Sequence, residues 1–245
     1  MAEEEKYKVV EGDRISSIAA RRCTTVDKIL AKNPQLADRT KRNPEMLMPG
    51  EELVMPPKEV KNFHADERTC STTLIEPILS RLQLKLQVAG MPLKPQAFKW
   101  KLGRDPYPGE GKDAQWKGGQ VTAEGVVSFD VPPTATEAVV YLPSLGFEFL
   151  ARIGYLHPPS ALSGVQQRLN NLGYACALSP PGEDPSLRKA SAARTAHAIK
   201  RFEEHHGMTL SGAATWALQE AIRKVHEPQS APVSKVAPIP PLRGA

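Results

Sequence analysis

The 245-residue chain has little cysteine, few aromatics and no long apolar run, and each shortage closes off a class of protein. Its three cysteines, Cys23, Cys70 and Cys176, lie far apart with no CxxC pair. They therefore supply neither a disulfide framework nor a zinc-ligand set. No stretch approaches the ~18–20 consecutive apolar residues of a membrane helix, so no membrane insertion is expected. Met1-Ala-Glu-Glu-Glu-Lys6 lacks the basic and apolar regions of a secretory signal, and the chain reads as cytoplasmic at synthesis. A dominant charge is missing too. Thirty-two basic residues face 27 acidic ones, and the excess of +5 falls wholly after residue 150. The small clusters Arg39, Lys41, Arg42 and Lys200, Arg201 lack the density and interleaved aromatics of a nucleic-acid interface.

Catalytic signatures are also lacking. The six histidines form no HExxH, and His205 and His206 fall on different sides of a helix, so no metal site is expected. Ser211 has a glycine after it but no GxSxG elbow around it. A non-enzymatic protein without cofactors follows as the expectation. What is abundant is proline, 23 residues, about twice the average usage of roughly 5%. Short strands, turns and linkers suit that density better than a long helical bundle.

Residues 1–57 read as strand, helix, helix, strand. Tyr7–Val10 is strand-like, and Glu11-Gly12-Asp13 is a turn in which Asp13 can cap a helix. Ile15, Ile18, Ala19 and Arg22 then recur at helical spacing, as do Val26, Ile29 and Leu30 before the stop at Asn33-Pro34. Pro49-Gly50 makes a turn into the strand Glu51–Met55. The elements Tyr7-x-Val9-x-x-Gly12-Asp13-x-Ile15-x-x-Ile18-Ala19, Asn33-Pro34-x-Leu36 and Pro49-Gly50-x-x-Leu53-x-Met55-Pro56 resemble a LysM domain. The resemblance implies a non-catalytic βααβ module binding N-acetylglucosamine-containing glycan between its two loops. It places the candidate site at Gly12, Asp13, Arg14 and Ile15 on one side, and at Asn33, Pro34, Met48, Pro49 and Gly50 on the other. Turn geometry alone explains Gly12, Pro34, Pro49 and Gly50 equally well.

Residues 58–73 are polar and aperiodic, a linker. From 74 to 156 the pattern alternates: Leu82, Leu84, Leu86, Val88; Phe98, Trp100, Leu102; Val127, Phe129, Val131; Ala138, Val140, Leu142. Gly90, Gly118-Gly119, Gly125 and Pro132-Pro133 separate these runs, which predicts a small antiparallel β-sandwich. Trp100, Trp116, Phe147 and Phe149 suit either its core or a sugar-stacking face, and the strand spacing favours core.

Residues 157–226 read as three helices. The first carries Leu162, Val165, Leu169 and Leu172 and stops at Gly173. A polar loop spans 179–191, and the second helix carries Thr195, Ala198, Ile199 and Phe202. The third carries Thr215, Leu218 and Ile222. The elements Val165-Gln-x-Arg168-Leu-x-x-Leu172-Gly-Tyr174, Thr195-x-x-Ala198-Ile-x-x-Phe202 and Gly207-Met208-x-x-x-Gly212-x-x-Thr215-x-x-Leu218 resemble the peptidoglycan-binding domain found beside cell-wall hydrolases. Glu203 stands where that family has glutamine. The tail, 227–245, is proline-rich and reads as disordered; its PxxPxR spacing from Pro238 to Arg243 is taken as incidental.

The fold class expected is thus α+β and multidomain. The function expected is non-catalytic binding of peptidoglycan, with delivery to the envelope or an injection particle. The alternative is an adaptor or cargo component of a contractile injection machine of type VI secretion or phage-tail type, whose LysM-like module docks a spike, baseplate or tube protein. Arg14, where the LysM family usually has threonine or serine, and the basic segment 38–43 favour docking. The Pro49-Gly50 turn favours glycan.

Overall fold

A computed structural model describes residues 5–37, 43–57, 79–88, 91–109, 111–112, 114–176 and 185–227. The linker, the basic segment 38–42, Cys70 and the tail beyond Glu227 lie outside the described residues. What is described is mixed α+β, with six α-helices and small antiparallel sheets. The chain divides into two compact units: Met1–Ile15, Val26–Pro56 and Tyr155–Ala245 form one, and Ser16–Thr25 with Pro57–Gly154 form the other. Most of residues 1–56 thus fall in the same unit as residues 155–245.

In the first unit β1 (Lys6–Lys8) pairs antiparallel with β2 (Glu52–Val54), Tyr7 opposite Leu53. The ladder runs on through Val9 N to Glu51 O and Met55 N to Glu5 O, each 2.8 Å. Between the strands in sequence come α1 (Ile15–Arg21), most of which belongs to the other unit, then α2 (Val26–Lys32) and the single turn α3 (Pro34–Ala37). Pro34 therefore starts a new helical turn as well as ending α2, since its fixed φ and missing N–H suit a first helical position. After α1, Cys23 adopts φ +51, a left-handed conformation that usually falls to glycine.

The same unit holds α4 (Leu162–Asn171), α5 (Pro185–His205) and α6 (Trp216–His226). Val165, Leu169, Ala198, Ile199, Phe202, Leu218 and Ile222 form their common core. Gly173, at φ +85, ends α4. Thr215 caps α6, its side chain accepting from Leu218 N, instead of joining the buried stripe. α5 begins six residues inside the expected polar loop. Proline at its first position and the alanine-rich run after it favour helix where polarity alone suggested none.

The second unit contains a four-stranded antiparallel sheet in the order β10 (Phe147–Arg152), β9 (Glu137–Leu142), β6 (Ala97–Leu102), β7 (Lys117–Gln120). β3 (Ser80–Lys85) pairs separately with β8 (Val126–Val131), and β4 (Gln87–Val88) with β5 (Met91–Pro92). Phe98, Trp100, Val127, Phe129, Val131, Val140 and Leu142 share one core, against which Leu82 and Leu84 pack. Trp100 stacks on Phe129 at 4.2 Å. Gly118-Gly119 lies inside β7 and does not break the sheet: the Phe98 ring covers Gly119 so closely that a Cβ there would stand 2.3 Å from it.

Candidate functional site

The loop after β1 is set by Asp13. Its Oδ2 accepts from Tyr7 Oη at 2.7 Å and from Val10 N at 2.9 Å, closing a turn with Asp13 N on Val10 O. Tyr7 and Val10 both precede Asp13 in sequence, so this carboxylate ties the loop back to β1. Opposite, Glu51 accepts from Met48 N and donates through its own amide to Met48 O, which fixes the Pro49-Gly50 turn with Gly50 at φ +89. Gly50 N then donates to Val9 O at 2.8 Å. The two loops assigned to the candidate site thus meet at Val9-Val10.

Not all nine candidate residues face outward there. Ile15 is fully enclosed. Asn33, 1% exposed, acts as a peptide-like pin: Nδ2 donates to Ile29 O and Val54 O, and Oδ1 accepts from Val54 N. Asp13 and Arg14 are buried as well, and burial pushes the Arg14 guanidinium below its usual value against the opposing pull of Glu45. These four side chains build the loops. Gly12, Met48, Pro49 and Gly50, all half-buried, and the exposed Pro34 are the candidates that retain surface.

A joint within the first unit reaches this loop. The Tyr155 ring lies on Gly12, where a Cβ would meet its Cζ, Cε2 and Oη at 3.1–3.3 Å. His157 Nε2 stands 3.3 Å from Glu11 Oε1, while Nδ1 is 2.8 Å from Ser163 Oγ. Gln167 brackets the segment by donating to Tyr155 O and accepting from His157 N. Arg168, fully enclosed, donates to His157 O, Gly164 O and Glu227 Oε1, and its Nη2 lies 3.3 Å from Met46 Sδ. Gly164 is required here, since a Cβ would fall 2.0 Å from Pro158 O. Burial lowers the Arg168 guanidinium, and Glu227 opposes that shift. Sequence reasoning found Arg168 as a motif residue but missed Tyr155 and His157, which stand more than 140 positions from the loop they meet.

Elsewhere, Glu203 clamps the loop before α6: its carboxylate accepts from Ser211 N, Ser211 Oγ and Gly212 N. Ser211 is thereby engaged in a loop clamp. Among the described residues no three His, Cys, Asp or Glu side chains are grouped to hold a metal ion, and no helix is long and apolar enough to cross a membrane. Of the four aromatics weighed for sugar stacking, Trp100 is in the core and Phe149 packs against it. Trp116 stands edge-on to Tyr107, which itself stacks on Tyr141 at 4.1 Å, and Phe147 is exposed. Phe147 stacks on Phe149 at 6.2 Å, and Phe149 and Trp100 flank Val140 in register, so Trp116 alone stands apart. Comparison with known proteins finds no matching family model, no matching curated protein and no matching solved structure.

Proposed function

We propose that this chain is a non-catalytic binder of bacterial cell-wall glycan, with its site on the loops that meet at Val9-Val10. The observation that carries the reading is their convergence. Gly12 and the Pro49-Gly50 turn, placed on opposite sides of a sugar groove by the LysM resemblance, are drawn together by the Gly50 N to Val9 O bond and held by Asp13 and Glu51. Two tight turns with a rigid frame suit an acetamido group, whose amide both donates and accepts. The order strand, helix, helix, single helical turn, strand and the antiparallel strand pair support the same reading.

Sedimentation of the full chain with insoluble peptidoglycan tests it. Pelleting that persists at moderate salt is expected of a shaped site. Pelleting confined to low salt reduces the interaction to charge, and its absence at every salt concentration ends the glycan reading.

A second reading is an adaptor in a contractile injection machine, of type VI secretion or phage-tail type, docking a spike, baseplate or tube protein on the loop surface that Met48, Pro49 and Gly50 retain; the buried Arg14 side chain is not part of that surface. Co-purification of the full chain with such components, unaffected by added chitotetraose, is its expected signature.

A further inference from the structure

A sugar site built from the nine candidate residues alone has no aromatic surface. Tyr7, the one tyrosine in that stretch, has its hydroxyl tied to Asp13. The apolar face of a pyranose ring gains most from stacking on a flat aromatic side chain whose polar end remains wet. The ring next to the loop is Tyr155, which comes from the segment leading into α4. We propose that Tyr155 is a wall of the glycan site, so that the site is composite: the loops come from the first fifty residues, and the aromatic surface comes from the far end of the chain. This rests on the glycan reading above.

Three observations support it. The ring lies on Gly12, the loop residue whose missing side chain lets an aromatic ring come against backbone. Tyr155 is half-buried, so the residue keeps some surface at the edge of the loop. Its backbone is fixed on both sides: Gln167 Nε2 holds Tyr155 O, and Arg168 Nη1 and Gln167 Oε1 hold His157, two residues on. A wall set before the ligand arrives loses little freedom on binding. It follows that a fragment ending before Tyr155 carries an incomplete site.

The test uses the full chain with tyrosine rings isotopically labelled and chitotetraose as the probe, followed by NMR, beside sedimentation with peptidoglycan. Tyr155 ring signals are expected to shift in step with saturation, Tyr155→Phe to bind within about twofold of wild type, and Tyr155→Ala to bind about tenfold more weakly. Wild-type binding with an unmoved Tyr155 ring overturns the composite site while leaving a glycan site elsewhere on the loops. So does a Tyr155→Ala chain that binds as wild type. A wild-type chain that binds neither probe overturns the glycan reading and this inference with it. The ring signal is read in the unmutated chain, so a poorly folding variant does not blunt the result.

Discussion

Arg168 and Glu227 form an ion pair of 2.6 Å in which the guanidinium is completely enclosed and the carboxylate nearly so. It joins the middle of α4 to the residue after α6. The three remaining contacts of Arg168 tie the hub to its own helix at Gly164 O, to the segment before α4 at His157 O and to the loop before β2 at Met46 Sδ. A buried pair contributes little over an apolar substitute, but losing one partner leaves an uncompensated charge inside.

Glu227→Ala is therefore expected to destabilise the first unit by about 3–5 kcal/mol. Arg168→Met combined with Glu227→Ala is expected to cost less than Glu227→Ala alone. Urea unfolding of the three chains measures both; a Glu227→Ala chain as stable as wild type removes Arg168 from the centre of the joint.

Acid should weaken the same unit, and the direction follows from two carboxyls. At Glu227 burial works to raise the carboxyl, but the His226 and Arg168 interactions outweigh it and hold it below the usual range. At Glu203 burial again works upward, and the Gly212 and Ser211 hydrogen bonds outweigh it. Both groups are depressed in the folded chain, so their contribution is present above the ordinary glutamate value of about 4.3 and is lost as pH falls through the folded values. A melting temperature that drops on acidification below about pH 4, with a shallower fall in Glu203→Gln, is the expected profile.

Gly12→Ala tests the packing of Tyr155 on the loop. Gly12 sits at φ +86, so any side chain there is strained by about 1–2 kcal/mol, and the new methyl also presses on the ring at 3.1 Å. The cost is expected to shrink when Tyr155→Ala is added, since only the ring contact is relieved. A double-mutant cycle by thermal unfolding reads the coupling; strict additivity would separate Tyr155 from Gly12.

Cys23→Gly is expected to stabilise the chain by about 0.5–1 kcal/mol, because Cys23 holds φ +51 after α1 with an exposed side chain. Differential scanning calorimetry under reducing conditions checks the sign.

Strands β3, β6, β8 and β9 were legible because one face of each packs on the shared core, which imposes the alternation seen at Leu82 and Leu84, Phe98 and Trp100, Val127 and Phe129, and Val140 and Leu142. β7 was not, because Lys117-Gly-Gly-Gln carries no apolar residue and the covering ring belongs to Phe98 on the neighbouring strand. β10 is an edge strand whose Phe147 and Leu150 remain exposed, so its pattern blurs. At the candidate site the turns were legible from Gly12 and Pro49-Gly50. The inward roles of Asp13 and Asn33 were not, since a polar residue that pins backbone looks in sequence like one that meets solvent. Tyr155 and His157 left no local signal, because their partners at Glu11 and Gly12 lie at the other end of the chain.

A shaped glycan site on the loops that meet at Val9-Val10 gives up its wall polymer to a soluble competitor of the same chemistry. The full chain is pelleted with peptidoglycan at moderate salt and then challenged with soluble chitotetraose. Release into the supernatant in proportion to the oligosaccharide added is the predicted result. A chain that stays in the pellet whatever the chitotetraose concentration, or that never enters it at moderate salt, has no such site.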